Sequence, residues 1–382
     1  MRKKAFITSV LIIFICTTLA SILFVNEQKE KNEKKNYPSK NHSTRPFQLT
    51  NRKLIEKVTI GAIGDILIHD VVYQDAFNGK DYNFDPMFEN IKALLEKPDV
   101  LTANQESMLG GLELGLSGYP KFNSPHEVAD ALIHTGVDIV STANNHTLDR
   151  GFKGVQSEAA YLQSIGLPYV GSFVDDKDQQ NLRIINKNGI KICFLSYTYG
   201  TNGIPVPKGK DFLVNLIDRE RMKGEIQRAR KAADLVVMSI HWGNEYQRIP
   251  TNNQKDLARF LANEGVDIIF GSHPHVLQPM EWFNTTDGRK AFVVYSLGNF
   301  LSAQNNNYKD IGGLATIDVT KQITDKGTTI EISNPVFFPT YITSQKYHHF
   351  KVVPLENAAT FGLTNADAKY KEIQQHMKQW LR

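Results

Sequence analysis

Apolar residues along this chain gather into short blocks that start on an aspartate and stop on a candidate metal ligand. Asp99 opens a run ending in Asn104-Gln-Glu106, Asp138 one ending in Asn144-Asn-His146, Asp234 one ending in His241, and Asp267 one ending in Gly271-Ser-His-Pro-His275. Apolar blocks of this length read as buried strands. Helical spacing falls between them, over residues 127–134, 155–164, 218–233 and 253–263, the first two stopped by Gly136 and Gly166. Strands alternating with helices predict an α/β fold. Parallel strands of one direction would bring all four ligand sets to one edge of one sheet.

The remaining elements frame this pattern. Residues 58–64 predict a strand whose glycines bring the backbone close to whatever Asp65 holds, and residues 84–96 predict a helix broken before Pro98. Residues 183–186 and 190–196 flank Lys187-Asn-Gly189, a hairpin signal. Three β-type runs follow, at 291–297, 313–319 and 328–338, and residues 365–381 predict a surface helix. The folded domain is expected over residues 53–345, with residues 346–382 as a C-terminal extension carrying the terminal helix. No short-period repeat is present, so a solenoid is not expected.

The N-terminus departs from this composition. Arg2-Lys-Lys4 precedes an uncharged run of about twenty residues, long enough to cross a bilayer core as a helix. Residues 1–25 are therefore read as an export signal, either kept as a membrane anchor with the C-terminal part outside the cell, or cleaved near Thr18-Leu-Ala20 so that the protein is secreted. Residues 26–52, rich in Lys, Glu, Asn and Ser, read as a flexible stalk. A formal charge of +4, without a basic stripe, gives no indication of nucleic acid. The two cysteines, Cys16 in the apolar run and Cys193 in a strand, predict no intrachain disulfide.

The loop residues carry the candidate chemistry. Asp65, Glu106, Asn145, His241, His273 and His275 combine carboxylates, an amide oxygen and imidazoles, with no thiolate, a set that suits divalent Mn, Fe or Zn. Two such ions would share a bridging carboxylate or water and activate it. His146, beside Asn145, is the candidate proton donor to a leaving group. Taken singly, His241 reads as a hydrogen-bonded core or surface histidine, Asp65 as a turn cap, Asn144 and Asn145 as turn residues and Glu106 as solvated; their common placement at strand ends is what makes them a set. Asn144, Trp242, Glu245 and Asn299 are candidate substrate contacts, though Trp242 could equally be packing and Asn299 could merely shape its loop. His69 is a possible extra ligand or a free loop histidine.

At these residues the chain resembles the capsule synthesis protein CapA family, also called the poly-γ-glutamate synthesis family, a branch of the metallophosphatase-like superfamily. The matching pieces are Gly64-Asp65-Ile, Asn104-Gln-Glu106, Ala143-Asn-Asn-His146 with Asp149 and Gly151, His241-Trp-Gly-Asn-Glu245-Tyr, Gly271-Ser-His-Pro-His-Val-Leu-Gln-Pro279 and Tyr295-Ser-Leu-Gly-Asn-Phe300. The superfamily's Asp-x-His opening is absent, since Ile66 and Leu67 follow Asp65. The resemblance implies a metallophosphatase-like sandwich of two mixed β-sheets flanked by helices, with the metal site at the C-terminal ends of the strands. It also implies that Asp65 and His275 hold one ion, that Asn145, His241 and His273 hold the other, and that Glu106 lies between them. Membrane polymer-synthase subunits and an anionic polymer such as poly-γ-glutamate are the implied partners.

Three functions remain open on this reading. The chain could be a membrane-tethered component that makes, exports or anchors such a polymer, a cell-surface hydrolase of phosphoesters or γ-linked amides, or a non-catalytic assembly factor that binds polymer carboxylates through metal.

Overall fold

The computed structural model describes residues 48–50 and 53–381. Its strands are β1 (Gln48–Thr50), β2 (Lys53–Leu67), β3 (Val100–Gln105), β4 (Ile139–Ser141), β5 (Tyr169–Val170), β6 (Arg183–Lys187), β7 (Ile190–Thr198), β8 (Leu235–His241), β9 (Ile268–Ser272), β10 (Leu277–Asn284), β11 (Lys290–Leu297), β12 (Asn299–Ser302), β13 (Ile311–Thr324), β14 (Gly327–Gln345) and β15 (His348–Pro354). They form two mixed sheets rather than the single sheet that the repeated pattern suggests. The first runs β15-β14-β13-β2-β3-β4-β5, with β1 and β12 also pairing to β2; the second runs β10-β11-β9-β8-β7-β6. β2 to β5 are mutually parallel, as are β7, β8, β9 and β11. The repeated unit is thus split between the sheets, with the Asp99 and Asp138 strands in the first and the Asp234 and Asp267 strands in the second.

The opening aspartates have a structural cause. Asp99, Asp138, Asp234 and Asp267 each accept, through Oδ2, a hydrogen bond from a backbone N–H of the preceding parallel strand near where the parallel pairing begins: Thr59 at 2.8 Å, Leu101 at 2.8 Å, Lys191 at 2.8 Å and Val236 at 2.9 Å. Each aspartate also donates its own N–H to the carbonyl of that same residue. An unpaired N–H where a parallel strand begins is costly once buried, and the carboxylate meets it.

The second sheet is buried on both faces, which is why its strands read as continuous apolar runs rather than as alternations. In β8, Leu235 and Val237 join the larger core while Val236, Met238 and Ile240 join the smaller one; in β9, Ile268 and Phe270 face one way and Ile269 the other. The smaller core is completed by Met222, Ile226 and Ala229 of helix Arg219–Ala232 and by Leu257, Ala258 and Leu261 of helix Asn252–Glu264. Both helices begin on side-chain caps, Asp218 and Thr251, the latter a full capping box with Gln254.

The hairpin at Lys187-Asn-Gly189 forms, with φ of 51° at Asn188 and 80° at Gly189, as its turn chemistry requires. Residues 84–96 are two short helices, Asp85–Phe88 and Lys92–Leu95, instead of one. β10, β12 and β15 lie outside the sequence-predicted strands. Residues 346–382 are integral rather than appended: β15 pairs with β14, and helix Ala366–Lys378 buries Ile373 and Met377 fully. Ordered chain starts before residue 53, since β1 pairs with β2. The expectations for residues 1–25, and for most of 26–52, lie outside the described residues; among the described residues no helix is long and apolar enough to cross a membrane.

Candidate metal centre

Five strand ends converge where the parallel strands of both sheets finish. β2 supplies Asp65 at a register shift produced by Gly64, whose backbone passes so close to Gly298 that a Cβ there would lie 1.9 Å from the Gly298 carbonyl oxygen. β3 ends just before Glu106, the loop after β4 carries Asn145 and His146, β8 ends on His241, and the loop after β9 carries His273 and His275. The two histidines of that loop have φ of 96° and 57°, a left-handed backbone that non-glycine residues rarely adopt and that is held here by the surrounding fold.

The contacts cross between the sheets. Asp65 Oδ2 lies 3.1 Å from His275 Nδ1, Asn145 Oδ1 lies 2.8 Å from His241 Nε2, and Glu106 Oε1 lies 3.6 Å from His241 Nε2 and 3.7 Å from His275 Nε2. Two sets present ligand atoms all within 4.8 Å of one another: Glu106, His273 and His275, and Asp65, Glu106 and His241. Glu106 belongs to both.

Burial and like charge set the electrostatics. Burial, and then the Asp65 carboxylate, push the Glu106 pKa well above its usual range. Burial and the neighbouring imidazoles push His241 well below its usual value, and His273 down to about 3, so both rings are neutral and offer lone pairs. Glu106 Oε1 and His273 Nδ1 are buried without a hydrogen-bond partner, and among the described residues the carboxylates of Asp65 and Glu106 form ion pairs only with histidines. Unmet buried acceptors of this kind cost about 1–3 kcal/mol each. Carboxylate, amide and neutral imidazole donors with unmet acceptors fit a divalent cation.

The other sequence candidates fall into place around this centre. His146 donates from Nδ1 to Asp149 Oδ2 at 2.7 Å, and Phe122 packs edge-on against its ring at 4.7 Å. Asn299 contacts His275, with Oδ1 3.0 Å from Nδ1, and its amide is fixed by Gln304 and the Lys309 carbonyl, so it orients a histidine. Asn144 braces its own loop: its amide donates to the Gln105 carbonyl and its oxygen accepts from the His146 N–H, which occupies the side chain that the sequence offered to substrate. Trp242 is buried in the smaller core and gives its indole N–H to the Tyr295 carbonyl. Glu245 is exposed, close enough that its charge helps to raise the Glu106 and Tyr199 pKa values. His69 stands outside both ligand sets, with Nδ1 3.1 Å from the Leu67 carbonyl and its ring against Phe122; burial pushes its pKa down to about 4.

Five residues have no individual role in the sequence reading, although Asn104, Asp149 and Ser272 among them lie in the motifs quoted above. Asn104 donates to Asp65 Oδ1 at 2.8 Å and lies 3.4 Å from Glu106 Oε2, tying the two carboxylates together. Its two-residue spacing from Glu106 was the available signal, since strand alternation turns both the same way. Asp149, three residues after His146, carried a similar signal. Ser272 Oγ lies 2.9 Å from His241 Nδ1, Asn202 accepts from the Asn145 amide, and the Tyr199 ring sits 4.6 Å from that of His273. For Tyr199 and Asn202, in the loop after β7, the sequence held no signal.

Two mixed sheets flanked by helices, with a metal-type cluster at the strand ends, define an α/β sandwich protein. The chain belongs to the bacterial capsule synthesis protein PGA_cap family, whose model matches residues 59–304. It is similar to the capsule biosynthesis protein CapA of Bacillus anthracis, 30% identical over 65% of this chain and 61% of that one. It is also similar to the PGA biosynthesis protein CapA of Bacillus subtilis (strain 168), 35% identical over 44% of this chain and 43% of that one. The chain therefore spans under two thirds of either relative. Among solved structures, the calcineurin-like phosphoesterase YfkN from Bacillus subtilis matches 74% of this chain and 90% of that one at 16% identity and a TM-score of 0.44, a likeness that carries no activity over.

Proposed function

We propose that this protein acts at the outer face of the cell membrane, tethered by residues 1–25, in making, exporting or anchoring an anionic polymer such as poly-γ-glutamate alongside membrane polymer-synthase subunits. Within that role it hydrolyses a phosphoester or γ-linked amide with divalent Mn, Fe or Zn, two ions being the number that the paired ligand sets favour. Membership of the capsule synthesis family supports the role, and the charged N-terminal segment with its uncharged run supports the tether. The observation that carries the chemistry is Glu106 Oε1, buried and unpartnered between His241 and His275.

Asp65, Glu106, Asn145, His241, His273 and His275 would hold the cations. Bound there, these would lower the pKa of a water and stabilise charge on the oxygen of the phosphoryl or acyl group under attack. The protein's own residues do the rest. Asn104 keeps the two carboxylates in register, Asn299 and Ser272 fix the rings of His275 and His241, and Tyr199 covers His273. His146 holds its Nδ1 proton toward Asp149; with a second proton on Nε2, a charged form that the Asp149 carboxylate would support, it would pass that Nε2 proton to the leaving group.

Elemental analysis of the purified full chain, prepared with excess Mn, Fe and Zn, tests this together with a screen of phosphodiester and γ-glutamyl substrates. Bound metal in the native protein, lost in Glu106→Gln, and turnover abolished by chelator and by His146→Ala are expected. Metal-free protein under those conditions would end the reading. Polymer binding without turnover, lost only in the ligand variants, would replace hydrolysis with metal-dependent binding.

A further inference from the structure

Beside the centre lies a separate cleft of about 270 Å³, bordered by Tyr199, Trp242, Asn244, Thr251, Asn253 and Gln254. Tyr199 is its shared wall: the ring stacks nearly parallel to His241 and lies 4.6 Å from His273, yet the residue is 48% exposed. Gln254 is buried and immobilised, its amide donating to Gln278 and its oxygen accepting from the Thr251 N–H. Gly243, at φ of 91°, lets the chain close over it, since a Cβ there would meet the Gln254 carboxamide at 2.7 Å. Trp242 has spent its N–H on Tyr295 and offers only apolar surface. Asn244 and Asn253 stand exposed at the opening.

This lining selects a chemistry. It pairs aromatic and aliphatic surface, Ile217 and Leu257 included, with the carboxamides of Asn244 and Asn253, and it contains no lysine, arginine or histidine. The Thr251 hydroxyl and Gln254 are taken up by the helix cap. A carboxylate or phosphate entering it would lose water without gaining a counter-charge, and Glu245 beside it adds repulsion. A neutral group with hydroxyl and amide functions would find donors, acceptors and a stacking face. Ligand sites commonly span about 300–1,000 Å³, so this one, just below that range, takes a single ring rather than a polymer segment. We propose that the cleft binds one uncharged ring bearing hydroxyl and amide groups, of the N-acetylhexosamine kind, held against Tyr199 and gripped by Asn244 and Asn253.

Binding to the cleft needs no turnover, so it is read separately from hydrolysis. The full chain is titrated calorimetrically with the methyl glycoside of N-acetylglucosamine, and γ-diglutamate, inorganic phosphate and adenosine serve as competitors. Saturable binding is expected, weakened about tenfold by Tyr199→Ala, a loss of the size of one aromatic stack. Asn244→Ala weakens it as well, while Glu106→Gln leaves it unchanged, and none of the competitors displaces the glycoside. No saturable binding, equal binding by Tyr199→Ala and native protein, or displacement by any competitor would overturn the assignment.

Discussion

Two buried carboxylic acids show how the fold treats charge residue by residue. Glu106 lies among other ligand-type groups; Glu158, buried in helix Gly151–Ile165, accepts from the Leu109 N–H at 3.3 Å. Burial pushes the Glu158 pKa up to about 8. A carboxyl raised in the folded state is bound more favourably as the neutral acid. Its contribution is therefore most favourable below the unfolded value, roughly 4.3, and is lost as pH rises from there toward 8. Glu158→Gln should match native stability near pH 4.5 and exceed it increasingly up to pH 8, by at most about 1.4 kcal/mol per unit. Denaturant titrations of both proteins across that range check this, and a constant difference would refute it. At His146 the expectation concerns the proposed catalysis: Asp149→Asn removes the carboxylate that would support a doubly protonated ring, so the proposed turnover should fall roughly 100-fold or more with metal content unchanged.

Among the elements, the strand-opening aspartates make an unequal series. Asp138 accepts the Leu101 N–H at 2.8 Å, so losing that bond in Asp138→Ala should cost about 1–2 kcal/mol and Asp138→Asn much less, because the amide oxygen still accepts. Asp267 meets the Val236 N–H and also pairs with Arg230 at 2.7 Å and Arg289 at 2.9 Å. Asp267→Ala leaves the Val236 N–H unmet and takes a carboxylate from Arg230 and Arg289, although Arg289 keeps Asp287, and should cost about 2–3 kcal/mol. Urea unfolding of the three variants gives the comparison, and equal losses in Asp138→Ala and Asp138→Asn would contradict it. The caps sit at the opposite ends of the strands from the metal ligands, so these variants should lower stability while leaving metal content unchanged.

For the molecule as a whole, the C-terminal helix closes the sandwich. From helix Ala366–Lys378, Gln374 donates to the Phe337 carbonyl of β14 in the first sheet, and His376 Nε2 lies 3.0 Å from the Leu277 carbonyl of β10 in the second. Trp380, just beyond it, packs edge-on against Tyr295 of β11. The helix therefore spans both sheets at one side, and its apolar face is core. Met377→Ala should cost about 2–5 kcal/mol. Deleting residues 365–382 should lower the melting temperature and weaken metal retention together, because the ligands come from both sheets. Metal retained at full affinity after the deletion would show that the sheets hold without the clip.

The sequence alone determined what is local. Apolar blocks, Asp openings and the Asn188-Gly189 turn each depend on neighbours a few residues away, so most strands and helices and their order could be read directly, and ligand types at strand ends marked the candidate site. Tertiary structure decided everything that depends on partners remote along the chain. It divided the repeated unit between two sheets, since a run buried on both faces looks the same in either. It turned Asn144 inward to brace a loop, brought Asn104 between Asp65 and Glu106, and laid Tyr199 over His273. It also made the terminal helix part of the core. A side chain's chemistry is written in its type, but which carboxylate or ring it meets is fixed only when strands from both sheets end at the same place.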